Sequence, residues 1–350
     1  MRRHERSIER YTGQLFIWRS IADGLVYAYI STFNAKHAFF DTTSPAPKRE
    51  AGFIGGKAGL AKELGMLFSA IEHRVPAVLS DITNIIRYGD VCLLGGDDPC
   101  PIEVKSGPVL NQRGHRQAAK LAQLEDFLKN DRAVGFRGMP EMQRVEFGVP
   151  HHDCIADLNA CIQSARYDGW NFFCPERGLV YAAIFEDAPI DTLFKNLGMK
   201  RPVIFMPNAE KMDRSWAPYL PFTISIRAPL DLYDFVVGKL SLVVVVDAAV
   251  ICDRLATPGW KISLVEDRNH SILLEHGSTA AKITISTQFF GRLGLEFISL
   301  DWFVEHHKKL VASMWTDMMA GKGPMIDPAE FEDWDKAIAA LPRAYEASGD

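Results

Sequence analysis

Two short apolar runs, Asp90–Leu94 and Ile102–Val104, are separated by Gly95-Gly96-Asp97-Asp98-Pro99, turn chemistry that brings extended segments side by side. Alternate side chains of a strand share a face, so Glu103 and Lys105 point one way while Ile102 and Val104 enter the opposite layer. If the strands pair with Asp90 beside Glu103, two carboxylates and an ammonium meet at one strand end. Like charges that close repel unless something positive lies between them. A hard divalent cation with oxygen ligands suits such a place, Mg²⁺ first and Mn²⁺ as its substitute, completed by water and phosphate oxygens. The lysine would orient or deprotonate water and stabilise charge developing at phosphorus. The chain has one acid-x-lysine triplet, and an exposed, ion-paired hairpin edge is the structural alternative.

Amphipathic helices are expected on both sides of this unit. Leu60, Leu64, Leu67, Phe68, Ile71 and Val75 recur at three- and four-residue spacing before Pro76, which stops a helix. The same spacing runs through Gln117, Leu121, Leu124 and Leu128 in a helix over Arg113–Lys129. An earlier helix is predicted over Gln14–Phe33, then a loop around Ser44-Pro45-Ala46-Pro47-Lys48. Arg144–Phe147 and Leu179–Phe185 read as strands around a helix at Asp153–Arg166, giving an α/β layer. Beyond Lys195 the texture turns strand-like at Phe222–Arg227, Leu242–Ile251, Lys261–Val265, Ile272–Leu274 and Lys282–Ser286, with closing helices at Trp302–Met319 and Pro328–Leu341. The expected organisation is an N-terminal helical segment (1–50), an α/β domain (51–195) and a C-terminal α+β domain (196–350).

Composition narrows the class. The 350 residues are 47% apolar and 24% charged, ordinary values for one or two folded domains. A formal net charge of −5 excludes a polycation that coats nucleic acid indiscriminately, so any such contact needs a local basic patch. The longest apolar stretch, Leu240–Cys252, is broken by Asp247 and too short for a membrane helix. The valine run Val243–Val246 inside it reads as a buried strand. No secretory h-region follows the charged start Met1–Arg6, and the six cysteines form no CxxC pair. Reduced thiols in a cytoplasmic protein with no membrane partner are the expectation.

The segment Tyr88-Gly89-Asp90-Val91-Cys92-Leu93-Leu94 followed by Pro101-Ile102-Glu103-Val104-Lys105-Ser106-Gly107 resembles the PD-(D/E)XK nuclease superfamily, with Gly89 in place of the proline. The resemblance covers about residues 57–130. It implies a restriction-endonuclease-like core, a mixed sheet flanked by helices, in which Asp90, Glu103 and the backbone carbonyl of Val104 bind the metal and Lys105 serves the attacking water. Gly59-Leu60-Ala61-Lys62-Glu63 is similar to the family's helical glycine-x-x-x-glutamate element and makes Glu63 the fourth candidate, with Glu72 its rival on the same helix. On the following helix Gln117 would turn toward DNA, and His115, Arg116 and Lys120 would meet backbone phosphates. The implied activity is Mg²⁺-dependent hydrolysis of DNA to 5′-phosphate and 3′-hydroxyl ends. Prokaryotic defence against foreign DNA, such as antiviral defence, follows by analogy. A noncatalytic nucleic-acid- or protein-binding module, an RNA-cleaving enzyme and a homo-oligomer stay open.

Three other patterns lead elsewhere. Gly55-Gly56-Lys57 suggests a phosphate loop, but Ala51 stands where its first glycine belongs and Ala58 where Ser or Thr would coordinate magnesium. His151-His152-Asp153-Cys154, with Cys161 and Cys174, fits no common zinc spacing. His306-His307-Lys308-Lys309 is expected on the solvated face of a helix.

Overall fold

The computed structural model describes residues 2–321 apart from 45, 50–51, 58, 105–111, 147–148, 187, 189–196, 213–215, 266–269 and 280. The chain divides into two compact units, Met1–His307 and Lys308–Asp350. The first contains every strand named below. The expected helix at Pro328–Leu341 lies outside the described residues.

Helix α1 runs over Arg2–Tyr29, starting well before the predicted Gln14 because its charged first turns remain helical. Its inner face buries Phe16 and Val26. Helix α2 (Leu60–Glu72) matches the apolar periodicity and ends ahead of Pro76. Strands β1 (Ala77–Leu79), β2 (Val91–Leu93) and β3 (Cys100–Ile102) follow, then helix α3 (Gln112–Asn130) and the hairpin β4 (Arg132–Val134) with β5 (Glu141–Gln143). The first sheet has the order β1-β2-β3, registered Val78↔Cys92 and Val91↔Ile102.

Every strand pairing among the described residues is antiparallel, which differs from the mixed sheet expected. Connections as short as Leu94–Pro99 can join only antiparallel neighbours, since a parallel pair needs a crossover. Leu124, Phe127 and Leu128 of α3 pack on Tyr88 and Phe136, and this cluster anchors the segment leading into β2.

A second sheet has the order β6-β7-β9-β8, from Trp170–Glu176, Leu179–Ile184, Ser241–Asp247 and Pro202–Phe205. Val243–Val246 form its buried central strand, as read from the sequence. Because β7 pairs β9, the sheet joins residues on both sides of the 195/196 boundary expected above. Helix α4 (Ile155–Asp168) precedes this sheet, and helix α5 (Pro229–Val237) leads into β9. Strand β9 stops where Asp247 Oδ1 accepts the Ala249 amide at 3.0 Å and caps helix α6 (Ala248–Leu255). Strands β10 (Trp260–Leu264), β11 (His270–His276) and β12 (Lys282–Ser286) form a meander, followed by helices α7 (Thr287–Leu295) and α8 (Leu300–Met319).

Two expectations are corrected here. Phe222–Arg227 does not extend a strand: Phe222–Ser225 is a helical turn after Pro221, and Thr223 Oγ1 donates to the Ser20 carbonyl of α1 at 2.8 Å. His307 is not on a solvated face. Its imidazole is buried, donates Nδ1–H to the Phe303 carbonyl and packs against Phe289 and Phe303.

Candidate active site

The site forms where α2, the turn after β1 and the ends of β2 and β3 meet. Asp90 and Glu103 adjoin the last registered pair, Val91↔Ile102, at one end of the β2–β3 ladder. Asp90 is fixed there by its backbone: its amide donates to the Ile102 carbonyl at 2.8 Å, and its Oδ2 accepts the Val104 amide at 2.9 Å. Gly89 precedes it at φ +65°, with an added Cβ falling 2.7 Å from Ile102 backbone atoms. Proline, locked near φ −65°, does not fit this backbone, which gives a physical reason for Gly89 at the position where the resembled motif has proline.

Glu63 stands in the first turn of α2 and is 3% exposed. A carboxylate there is favoured by the positive end of the helix dipole. Glu72 lies exposed at the far end of the helix, so Glu63 is the acid that α2 delivers to the cluster.

Two residues complete the cluster that the sequence reading did not place there. Lys57, in the loop before α2, extends its ammonium to Asp81 Oδ2 at 2.8 Å, Asp90 Oδ1 at 2.8 Å and Glu63 Oε1 at 3.0 Å. Asp81 sits in the 3₁₀ turn Ser80–Ile82 that follows β1. Three carboxylates from three elements thus converge on one cationic atom. Partial burial works against the Lys57 charge, but hydrogen bonds to Asp81, Asp90 and Glu63 outweigh it and hold the ammonium above its ordinary pKa. Burial pushes the Glu103 carboxyl up, and repulsion from Asp90 and Glu63 adds to it against the pull of Lys48 and Lys57. Proximity of the acids is written in that shift.

The inner face of α1 props the loop that carries these acids. Arg19 Nε donates to the Asp81 carbonyl at 3.0 Å, and its Nη2 donates to Gly52 O at 2.8 Å. Asp23 accepts the amides of Asn84 and Ile85 at 2.7 and 3.1 Å, and the Asn84 side-chain amide at 2.8 Å.

Burial dominates these three donors, and the Asp23 carboxyl is pushed up to about 7. Lys48, whose ammonium lies 4.1 Å from the Tyr88 ring centre, is lowered by burial to about 8.

The remaining candidates are placed differently. Lys105 lies outside the described residues. Gln117 is half-buried on α3, while His115 and Arg116 are exposed. Lys120 is engaged by Asp41, at 2.6 and 2.8 Å from its two oxygens, so its ammonium is neutralised by a protein carboxylate.

The donors suit a hard divalent ion in kind, since all are carboxylate oxygens, and the ammonium occupies the point on which they converge. Among the described residues no group of three or more His, Cys, Asp or Glu is arranged as a metal-binding set. Their present spacing is set by an ammonium, whose contacts are longer than the ~2.1 Å of Mg²⁺–oxygen bonds. No family model, curated protein or solved structure matches this chain.

The signals for the two missed residues were present but non-local. Gly55-Gly56-Lys57 marked a lysine on a tight loop before a helix, and Leu79-Ser80-Asp81 put an acid at the end of a strand. Neither spacing says that both reach Asp90.

Proposed function

We propose that the chain is a Mg²⁺-dependent nuclease that hydrolyses DNA phosphodiester bonds. The observation that carries this reading is the convergence of Glu63, Asp81 and Asp90 within 3.0 Å of one cationic centre, with Glu103 at the adjoining strand end. Costly charge clusters of this kind concentrate at functional sites. Asp90, Glu103 and the Val104 carbonyl would hold the metal, with Glu63 and Asp81 as neighbouring carboxylates. When bound, Mg²⁺ supplies positive charge that polarises the scissile phosphate and makes water acidic enough to attack at neutral pH. The chain's own part is positional. Its carboxylates would orient water in line with the leaving 3′-oxygen, and Lys57 and Lys105 would offset negative charge gathering on the phosphate. Arg116 and Gln117 are the residues of α3 assigned to the DNA backbone. Prokaryotic defence against foreign DNA, in the cytoplasm, is the setting this activity suits.

A noncatalytic nucleic-acid-binding module on the same fold is favoured by one observation: the Lys57 ammonium occupies the point on which Glu63, Asp81 and Asp90 converge. Calorimetry with Mg²⁺ separates the readings. Binding in the wild type that is lost in Asp90→Asn supports the hydrolase, and absence of binding supports the module. Parallel digests of DNA and RNA decide the nucleic acid cleaved.

A further inference from the structure

Helix α1 has a second face that the rest of the described fold leaves open. Ile8, Tyr11, Trp18, Ile21, Leu25 and Tyr29 are 65, 60, 71, 51, 54 and 57% exposed. At about 100° per residue Tyr11, Trp18, Ile21, Leu25 and Tyr29 fall within roughly 80° of arc, away from the face on which Arg19, Asp23 and Val26 are buried. At ~1.5 Å per residue the stripe is roughly 27 Å long. With side chains of roughly 150–250 Å² when fully exposed, about 60% exposure of five gives on the order of 600 Å² of apolar surface. Isolated exposed apolar residues need no explanation, but a continuous patch of this size marks an interaction surface.

We propose that this stripe pairs antiparallel with the same stripe of a second copy of the chain, making the protein a homodimer through α1. Three features of the helix select a second copy. The area reaches the lower end of the ~600–1,000 Å² per partner of a stable interface. The pattern is self-complementary about Trp18: Tyr11 and Leu25 stand seven residues to either side of it. A two-fold pairing therefore sets Trp18 on the axis and Tyr11 against Leu25 of the partner subunit, the isologous arrangement. Tyr11, Leu15, Trp18, Leu25 and Tyr29 also keep the 3.5-residue repeat of helices that pack along their length. Charge fixes the direction. The first ten residues carry four arginines against two glutamates, a net +2, whereas Arg19 and Asp23 face inward and are buried. A parallel pair would stack the Arg-rich starts on each other, and an antiparallel pair separates them.

The inner face of the same helix holds the Asp81 loop through Arg19, so association would order α1 from outside without covering the carboxylate cluster from within. The proposal does not depend on the hydrolase reading. Sedimentation velocity of the full chain in EDTA tests it, at micromolar concentration. The wild type sediments as a dimer. Trp18→Glu and Tyr11→Glu each weaken the dimer by at least about 30-fold, as expected for aromatic anchors of an interface, while circular dichroism stays at the wild-type value and the urea midpoint of each variant loses its dependence on protein concentration. A monomeric wild type overturns the proposal, as does a dimer that survives both substitutions. Should one variant unfold, the other carries the test.

Discussion

Replacing Lys57 by methionine keeps the side-chain stem and removes the charge on which the carboxylates converge. The ammonium is 2.8, 2.8 and 3.0 Å from Asp81, Asp90 and Glu63, and the Lys57, Asp81 and Glu63 side chains are 28, 9 and 4% exposed. At an effective dielectric constant of 20, each contact is worth roughly 5–6 kcal/mol before desolvation. Desolvation of four charged groups offsets most of that sum, and what stays visible is the cost of leaving buried carboxylates uncompensated, about 3–5 kcal/mol. Urea unfolding in EDTA at neutral pH measures it. With a slope near 3 kcal/mol per molar, the midpoint should fall by about 1–1.7 M. Mg²⁺ should then stabilise the variant by about 2.7 kcal/mol at a hundredfold excess over its dissociation constant, since its charge would offset the carboxylates that the substitution leaves uncompensated. A loss under about 1 kcal/mol, the range of an exposed ion pair, would refute the idea that Lys57 holds the cluster together.

Gly89→Ala should destabilise the protein by about 2–3 kcal/mol and misplace Asp90, because its φ of +65° and the 2.7 Å approach to Ile102 backbone leave no room for Cβ; a wild-type urea midpoint would contradict this. Asp23→Ala strips the acceptor from two buried amides and the Asn84 side chain, at about 1–3 kcal/mol for each unsatisfied donor, and a loss below 1 kcal/mol would count against the role of α1 in bracing the loop. Burial lowers His307 to about 3, well below the ~6.5 of an unfolded histidine. The unfolded state therefore binds the extra proton first, and the stability His307 contributes is intact above pH 6.5 and lost as pH falls toward 3, by about 1.4 kcal/mol per pH unit. His307→Leu should flatten the slope of unfolding free energy against pH over that interval, and an unchanged slope would exclude the assignment.

Local patterns in the sequence carried much of the site. The apolar spacing of Leu60, Leu64 and Leu67 located α2, and the turn residues Gly95–Pro99 located the β2–β3 connection that brings Asp90 and Glu103 to one end of the ladder. Glu63 and Glu72 share one helix and differ by which end approaches β1, so only the tertiary arrangement separates them. Lys57 and Asp81 arrive on turns whose direction depends on contacts 24 and 33 residues apart along the chain, beyond the reach of periodicity. The same limit explains the Phe222–Arg227 segment. Its composition suits a strand, yet Pro221 and the bond from Thr223 to α1 turn it into a helical bend. Asp247 read as an interruption of an apolar run and proves to be a cap, where one strand hands over to a helix. His307 carries no sequence mark of burial, because which side of α8 meets Phe289 is decided by packing.

Cleavage of circular duplex DNA in Mg²⁺ by the wild type beside Asp90→Asn and Glu103→Gln measures directly whether these carboxylates support hydrolysis. Nicked or linear product is expected with the wild type, none with EDTA, and at least about a hundredfold less with either variant. Equal cleavage by Asp90→Asn, or none by a wild type that binds Mg²⁺, would contradict that role.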